Sequence, residues 1–245
     1  LEPVVRSEGI ATVDTLLAKI RSERPEALIQ ACVNALATHE SYFFRDGTPF
    51  EQLFQTQLPA LIEARRTSKR LRIWCAACSS GQEPYSIAIL LQEMTARLPG
   101  WNLEIIGTDM SAPILQKAAA GLYSDFEVKR GLSPERLKRW FTADSGGWRV
   151  SPNLRQMVQF KPHNLLQGTA GLGVFDLILC RNVLIYFNVD NKRRVLDGLS
   201  RALAPDGALL LGTAETVLGV GSDFEATPGL RGIYRLVGRQ TAAVG

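Results

Sequence analysis

The chain has 245 residues, 46% hydrophobic and 21% charged, and its 28 Lys and Arg against 24 Asp and Glu give a net charge of +4. This composition excludes intrinsic disorder, collagen and coiled coil, and so small a charge excess indicates an acidic partner only weakly. Since no apolar run approaches about 20 residues, no signal-peptide pattern is seen and the four cysteines are scattered, we expect a cytoplasmic protein that does not insert into the membrane.

Residues 1–37 are predicted to form a separate helical domain. Apolar residues follow helical spacing from Val13 to Ile20 and again from Leu28 to Leu36, and Pro25 stands where the second helix would begin. The polar residues 38–47 that follow are interpreted as a linker.

Residues 48–245 are predicted to form one α/β domain. It begins with an amphipathic helix from about Pro49 to Arg66, which Pro59 is expected to kink. From Leu71 onward, short apolar runs alternate with helix-patterned stretches, which is typical of a parallel sheet covered by helices on both faces. The predicted strands are Leu71–Ala76, Leu103–Gly107, Val174–Cys180 and Ala208–Gly212, with a final strand or hairpin in Phe224–Leu236; the predicted helices are Pro84–Arg97, Ala112–Ala120 and Asp190–Leu203, and Ala204–Gly207 is predicted to be a turn.

The alternation is interrupted between about residues 123 and 160, where we expect a small inserted subdomain with a helix and an antiparallel ribbon. The signals are a helix start at Ser133, a turn at Gly146, and strand-like pieces at Trp148–Val150 and Met157–Phe160. No internal repeat accompanies them.

Ligands of open α/β sheets bind outside the carboxyl ends of the strands, so the runs after the predicted strands are candidate sites. The run after the first strand, Trp74–Ser86, reads WCAACSSGQEPYS. Gly81 permits a tight turn with close backbone approach, but the further glycines of a dinucleotide fingerprint and the Lys of a phosphate-binding loop are absent. This pattern favours a nucleoside without phosphates, and Glu83 favours a cationic group such as an amino group or a sulfonium. The alternative is an ordinary turn between a strand and a helix.

Two polar residues follow later strands. Asp109, in GTDMS, could accept hydrogen bonds from both ribose hydroxyls, or it could cap the next helix, a task for which Ser111 is also suited. Asn164, in FKPHNLL, could bind an adenine edge through its amide, or it could be a turn residue.

Polar residues also interrupt the apolar run FDLILCRNVLIYF. Arg181, Asn182 and Tyr186 would each need a buried partner if they belonged to the core. We therefore favour a functional role for Asn182 and Tyr186. The apolar residues beside them are interpreted as core: Val183, Leu184, Ile185 and Phe187.

Other motifs are interpreted as structural. Cys75 and Cys78 form a CxxC that begins inside a strand and has no second pair, so we expect neither zinc binding nor a redox role. His39 and His163 are the only histidines of the sequence, too few for a metal site, and no nucleophile elbow accompanies them. The basic residues between Arg65 and Arg72 lack interleaved aromatics and are interpreted as a solvated face rather than a nucleic-acid patch.

Taken in order, the motifs THESYFFRD, AACSSGQEPYS, GTDMS with FKPHNLL, and FDLILCRNVLIYF resemble those of the chemotaxis-receptor glutamate O-methyltransferases, the CheR-type family. The resemblance spans about Thr38 to Thr213. It implies a helical N-terminal domain and a Rossmann-like methyltransferase domain with a small inserted antiparallel β-subdomain. It also implies S-adenosyl-L-methionine (SAM) as cofactor, S-adenosyl-L-homocysteine (SAH) as product, and the cytoplasmic helices of a methyl-accepting chemoreceptor as partner.

The resemblance also implies roles for individual residues. Arg45 and Tyr186 match the positions that act on methyl transfer itself. With Gly81 added from the turn argument, the candidates for the cofactor site are His39, Ser41, Arg45, Gly81, Glu83, Asp109, Asn164, Leu165, Arg181 and Asn182. Two residues depart from the family pattern, since His39 stands where many relatives have Asn and Gln82 replaces the first acid of the commoner GEEPY.

The predicted function is methylation of glutamate carboxylates on receptor helices by a monomeric enzyme, which serves sensory adaptation. Two alternatives stay open: methylation of a small molecule or RNA on the same fold, and a SAM-binding regulatory module without turnover. The expected sign of the latter would be loss of Arg45 or Tyr186, and both are present.

Overall fold

The computed structural model describes residues 1–36, 40–220 and 223–238. The chain divides into two compact units, Leu1–Glu40 and Ser41–Gly245, and each is described by itself. Within the described ranges, no helix combines the length and the apolar character needed to cross a membrane.

The first unit consists of three helices around a small apolar core. They are α1 (Glu2–Ser7), α2 (Val13–Glu23) and α3 (Glu26–Leu36). The buried core residues are Val4, Val5, Leu16, Leu28 and Cys32. Helices α2 and α3 agree with the two predicted from the sequence, whereas α1 escapes the prediction because six residues are too few to show helical periodicity.

The second unit alternates strands and helices. Its α-helices are α4 (Thr48–Gln52), α5 (Leu58–Ala64), α6 (Gln82–Glu93), α7 (Ala112–Ala120), α8 (Asp125–Lys129), α9 (Pro134–Trp140), α10 (Pro152–Gln156) and α11 (Val189–Ala202). Its strands are β1 (Arg70–Ala76), β2 (Asn102–Asp109), β3 (Leu122–Tyr123), β4 (Phe141–Asp144), β5 (Gly147–Val150), β6 (Val158–Pro162), β7 (Phe175–Cys180), β8 (Leu203–Leu211), β9 (Phe224–Ala226) and β10 (Ile233–Leu236). Short 3-10 turns cover Thr95–Arg97, Leu165–Gln167 and Leu184–Tyr186.

Seven strands form the main sheet, in the order β6-β2-β1-β7-β8-β10-β9. The first five are parallel, and β10 pairs antiparallel with both β8 and β9. Along β1, Ile73 and Cys75 belong to the core that includes α6, while Trp74 and Ala76 belong to the core that includes α11. Because successive side chains of a strand point to opposite faces, the sheet is buried on both sides, which confirms the predicted α/β class.

Two predictions about strands are wrong. Met157–Phe160 was expected in the inserted ribbon, but β6 pairs in parallel with β2 and forms an edge of the main sheet. Ala204–Gly207 was expected to be a turn, but it lies within β8, where the pairing with β7 skips these four residues. A proline cannot donate to the ladder, so Pro205 belongs in such a bulge rather than in a regular strand.

The inserted region contains a three-stranded antiparallel sheet in the order β3-β5-β4. As predicted, α9 begins after Ser133 and a turn at Gly146 joins β4 to β5. Gly147 is required there, because a Cβ atom would lie 2.1 Å from the carbonyl oxygen of Tyr123. The Tyr123 hydroxyl donates to the Ser80 carbonyl at 2.7 Å, which fixes this sheet to the loop after β1.

The helix predicted from Pro49 to Arg66 is divided into α4, a π-helical turn over Leu53–Gln57, and α5. Pro59 lies in the first turn of α5, where it has no N–H to donate to the preceding turn. The kink expected at Pro59 therefore takes the form of a widened turn immediately before it.

Part of the segment interpreted as a linker belongs to the core of the second unit. Phe43 is fully buried, and its ring centroid lies 5.1 Å from that of Tyr123 and 5.4 Å from that of Phe141, both in edge-on contact. The backbone N–H of Phe44 donates to Ser86 Oγ on α6 at 2.9 Å. These contacts hold residues 41–46 against the α/β domain.

The basic residues before β1 are divided between ion pairs and solvent. Arg65 Nε donates to Asp176 at 2.6 Å, and its two terminal nitrogens donate to Asp206 at 2.6 and 2.5 Å. The backbone N–H of Arg72 also donates to Asp176, at 2.8 Å. The predicted solvated face thus holds for Arg66, whose side chain is 79% exposed, but not for Arg65.

Replacing Phe43 by alanine tests whether this segment belongs to the core. Truncation of a buried aromatic costs about 3–5 kcal/mol, because a cavity adds to the lost contacts. We expect the free energy of unfolding in urea to fall by that amount in Phe43→Ala. The matched variant Phe126→Ala, at a residue 74% exposed, should stay within about 0.5 kcal/mol of the wild type. Equal values for the two variants would place Phe43 outside the core.

Candidate functional site

The loop after β1 is held against the carboxyl end of β2. The N–H of Cys78 donates to the Thr108 carbonyl at 2.8 Å, and Ser79 adopts a left-handed φ of 51°. Gly81 has a φ of 91°, and a Cβ atom there would lie 2.9 Å from Cβ of Ala118. The tight turn predicted from the sequence therefore requires glycine at this position.

The ring of Phe160, on β6, fills the space beside two glycines. A Cβ atom at Gly107 would lie 2.9 Å from this ring, and one at Gly81 would lie 3.2 Å from it. The close packing of β6 against the first two strand ends therefore depends on the absence of both side chains.

Asp109 joins the turns that follow β1 and β2. Its Oδ2 accepts the N–H of Ser79 and its Oδ1 accepts the N–H of Ser111, both at 3.0 Å. Its carbonyl accepts the N–H of His163 at 3.0 Å, which brings the segment that carries Asn164 alongside. Ser111 precedes α7 without a side-chain capping bond, so the carboxylate of Asp109 fixes two turns rather than capping one helix. Binding of ribose hydroxyls by this carboxylate stays a prediction.

Arg181 is the centre of a buried ion network. Its side chain is 1% exposed; Nη1 donates to Glu83 at 2.9 Å, and Nη2 donates to Asp46 and to the Arg45 carbonyl, both at 2.8 Å. Asp46 also accepts the hydroxyl of Tyr42 at 3.3 Å. Three predicted site residues, Arg45, Glu83 and Arg181, are thereby brought together.

Glu83, which the sequence predicts as a partner of a cationic ligand group, lies beside a cation of the chain itself. Its side chain is 12% exposed and paired with Arg181. Burial raises the pKa of the Glu83 carboxyl, and the Arg181 and Arg45 charges oppose that shift. Gln82, next to it, is buried and accepts the Ser80 hydroxyl at 2.8 Å, so an acid at position 82 would be a second buried charge.

Asn182 lies beside a carboxylate that the sequence analysis misses. Its φ is 58°, and its backbone N–H donates to Glu215 at 2.7 Å. Its Oδ1 is buried and has no hydrogen-bond partner among the described residues. Glu215 follows the last parallel strand by four residues, and this place at a strand's carboxyl end, like that of Asp109 at the end of β2, is the signal that the sequence offers for it.

Among the described residues, the remaining site candidates form no hydrogen bond or ion pair with the Arg181 ion network. Tyr186 ends a 3-10 turn and is 64% exposed. Asn164 Oδ1 accepts the N–H of Leu166 at 3.0 Å, which is the turn role of the alternative reading, and Leu165 is buried. Ser41 is half-buried, and within the described ranges the structure shows no hydrogen bond from it to the other candidates. His39 lies outside the described residues.

The CxxC cysteines are buried thiols. Cys75 and Cys78 form no disulfide, and burial raises the pKa of both. A buried thiol with a raised pKa is a poor nucleophile and a poor metal ligand. Both side chains thus act as small apolar residues beneath the site.

Backbone strain is concentrated at this end of the sheet. Among the described residues, seven residues other than glycine have a positive φ, and five of them lie in the site loops: Phe44, Asp46, Ala77, Ser79 and Asn182. Left-handed backbone costs free energy in residues with a Cβ, so it persists where surrounding contacts enforce it. Such clustering is typical of functional sites.

The polar groups at this end of the sheet suit a cationic nucleoside. The charged groups here are the carboxylates of Asp46, Glu83, Asp109 and Glu215 and the guanidiniums of Arg45 and Arg181. Among the charged groups named here, the four carboxylates outnumber the two guanidiniums, which favours a positive ligand over a phosphate beside them. The buried oxygen of Asn182 is an acceptor that a ligand donor could satisfy.

Comparison with known proteins agrees with this chemistry. Residues 39–233 match the family model described as CheR methyltransferase, SAM binding domain. The chain is 41% identical to chemotaxis protein methyltransferase 1 of Pseudomonas aeruginosa, over 96% of this chain and 87% of that protein. It is 36% identical to the chemotaxis protein methyltransferase of Escherichia coli, over 86% of this chain and 72% of that one. Among solved structures, the CMeT domain of a citrinin polyketide synthase gives a TM-score of only 0.39, with 21% identity over 59% of this chain and 29% of that chain.

Asp109→Asn is expected to weaken SAH binding while the fold stays intact. An amide keeps the size of the side chain but removes the charge from the predicted hydrogen bonds to the ribose hydroxyls. Hydrogen bonds to charged groups contribute about 1.5–3 kcal/mol, so calorimetric titration should show an affinity about 10–100-fold lower. Asp190→Asn, whose side chain is 89% exposed, is the matched control. Unchanged affinity in Asp109→Asn would limit Asp109 to joining two turns.

Proposed function

Because this chain belongs to the CheR methyltransferase family, we propose that it transfers the methyl group of SAM to glutamate side chains on the cytoplasmic helices of chemoreceptors. Membership of the family makes it a SAM-dependent methyltransferase of chemotaxis, and the proposal concerns the acceptor. Its relatives are named chemotaxis protein methyltransferases, which supports an acceptor within the chemosensory apparatus.

The observation that carries the proposal is the ion network of Arg181. It joins the segment that contains Arg45 and Asp46 to the residues that follow β7. Arg181 is also the first residue of the segment that leads to Tyr186. The network therefore supports a single site that combines the cofactor candidates with Arg45 and Tyr186, the two residues proposed to act on methyl transfer.

A carboxylate acceptor needs no general base. A glutamate side chain, with an ordinary pKa of about 4.3, is already ionised at neutral pH and needs no proton removed. The one described histidine, His163, packs edge-on against Trp74, with ring centroids 5.8 Å apart. Positioning and electrostatics must then supply most of the rate.

When bound, SAM would supply a methyl group made electrophilic by the sulfonium sulfur, and the acceptor carboxylate would be the nucleophile. The chain's own residues orient the approach of this carboxylate. Arg45 is half-buried, its backbone fixed by Arg181, and its guanidinium carbon lies 5.4 Å from the Tyr42 ring centroid. We assign Arg45 to hold the acceptor carboxylate or the cofactor, and the exposed hydroxyl of Tyr186 to fix the donor or the acceptor.

The acceptor is tested with methyl-labelled SAM and purified chemoreceptor cytoplasmic fragments. Glutamate methyl esters hydrolyse readily in base, so we expect label on the fragment that mild alkali releases. Fragments with alanine at the glutamate positions should accept none. Label that resists alkali, or label on RNA or a small molecule instead, would contradict the proposal. SAH binding without any turnover would indicate a regulatory module.

Arg45→Ala is expected to separate chemistry from cofactor binding. As the methyl moves, the positive sulfonium and the negative carboxylate lose their charges together, so a fixed cation helps by holding the oxygen in line. Loss of such positioning costs about 100-fold, and we expect this loss in kcat/KM, mostly in kcat, with SAH affinity within a few-fold. Tyr186→Phe should change kcat in the same direction but less, since a neutral hydrogen bond is weaker.

The matched control for Arg45 is Arg130→Ala, because the Arg130 guanidinium carbon also stacks on the Tyr42 ring, at 4.2 Å. We expect this variant to keep kcat near the wild-type value. Equal losses in both variants would mean that packing against Tyr42, rather than the acceptor, explains the effect. Loss of SAH binding in Arg45→Ala with normal single-turnover chemistry would move Arg45 to the cofactor site.

A further inference from the structure

Glu215 is a buried carboxylate whose partners are all backbone groups. Its Oε2 accepts the N–H of Asn182 at 2.7 Å and of Gly212 at 2.8 Å. Its Oε1 accepts the N–H of Val183 at 2.9 Å and of Leu184 at 2.7 Å. One side chain, 8% exposed, therefore joins the turn after β7 to the turn after β8.

These four bonds use the full capacity of the carboxylate. An ionised carboxylate has about four lone-pair sites, and hydrogen bonds to a charged acceptor are stronger than neutral ones. Among the described residues, no Lys or Arg nitrogen forms an ion pair with Glu215. Glu215 is thus suited to hold backbone in place rather than to bind a ligand itself.

The backbone that it holds is strained and closely packed. Asn182 has a φ of 58°. A Cβ atom at Gly212 would lie 2.7 Å from Glu215 Oε2 and 3.0 Å from both nitrogens of Asn182. The left-handed conformation of Asn182 persists because Glu215 satisfies its N–H on one side and Gly212 leaves room on the other.

We propose that Glu215 is a positioning residue, which fixes the Arg181–Tyr186 segment so that Asn182 faces the cofactor and Tyr186 faces the acceptor. This inference rests on the proposed function in taking Asn182 as a cofactor contact and Tyr186 as an acceptor contact. Glu215 acts through the segment, because its carboxylate is occupied by four backbone N–H groups. Its bond to Leu184 also holds the first residue of the 3-10 turn that ends at Tyr186.

Glu215→Gln tests the proposal, because each carboxylate oxygen accepts two N–H groups. An amide NH2 would face two backbone donors whichever way it turned. We expect the SAH dissociation constant to rise at least tenfold, measured by calorimetry well below the thermal midpoint of the variant. The KM for SAM should rise and kcat should fall together.

The control variant is Asp176→Asn. Asp176 is as buried as Glu215, but it lies near the start of β7, whereas Glu215 binds the backbone beyond the end of that strand. Asp176 accepts Arg65 Nε and the N–H of Arg72, so its loss should lower the thermal midpoint comparably. SAH affinity and kcat should nevertheless stay within twofold of the wild type. If Glu215→Gln behaves in the same way, Glu215 serves folding alone and the proposal is overturned.

Two further measurements separate a failure of the Glu215 role from a failure of the predicted cofactor placement. Asn182→Ala should weaken SAH binding; if it does and Glu215→Gln does not, only the role of Glu215 fails, and if neither does, the cofactor placement fails. If Glu215→Gln does not fold, hydrogen exchange on the wild-type protein tests whether Glu215 holds the backbone after β7. The amides of Asn182, Val183 and Leu184 should exchange slowly without cofactor, and exchange as fast as that of the Gly146 turn would overturn the proposal.

Discussion

The organisation of the site depends on one guanidinium buried at the carboxyl end of β7. A charge as enclosed as that of Arg181 is tolerated only when carboxylates neutralise it, and here they come from distant parts of the sequence. Glu83 comes from the first turn of α6, and Asp46 comes from the segment before α4. Removal of either would leave Arg181 with one carboxylate instead of two. The segment before α4 and the start of α6 are thus joined through the same guanidinium.

Two further carboxylates organise backbone rather than charge. Asp109 accepts N–H groups from the turns after β1 and β2, and Glu215 accepts them from the turns after β7 and β8. Each carboxylate has one donor with a left-handed backbone: Ser79 for Asp109, and Asn182 for Glu215. The carboxyl edge of the sheet is thus fastened at two places, one on each side of the β1–β7 pair, and the Arg181 network lies between them in the chain's topology.

The sequence predicts the features that local pattern controls. Apolar runs give the position of β7, the Ala112–Ala120 helix is predicted with its observed bounds, and motif order gives the family. Features that depend on distant partners escape prediction. The strand β6 shows too short an apolar pattern to be separated from the neighbouring insertion, and only its pairing with β2 reveals its sheet. The place of Glu215 after the last parallel strand is visible in the sequence, but its four N–H partners at two strand ends are visible only in the structure.

The packing of Phe160 against Gly81 and Gly107 has a consequence for how this protein can change over evolutionary time. Because a methyl group at position 107 would meet the ring at 2.9 Å, positions 107 and 160 cannot vary independently. Alanine at 107 requires a smaller side chain at 160, and Cys78 Sγ, 3.1 Å from the added methyl group, has to shift as well. At 81 a smaller side chain at 160 does not help, since the φ of 91° penalises any side chain whatever the free space. Gly107 and Gly81, which both lie beside the Phe160 ring, are thus required for different reasons. Gly107 is required by the size of neighbouring side chains, and Gly81 is required by its backbone conformation.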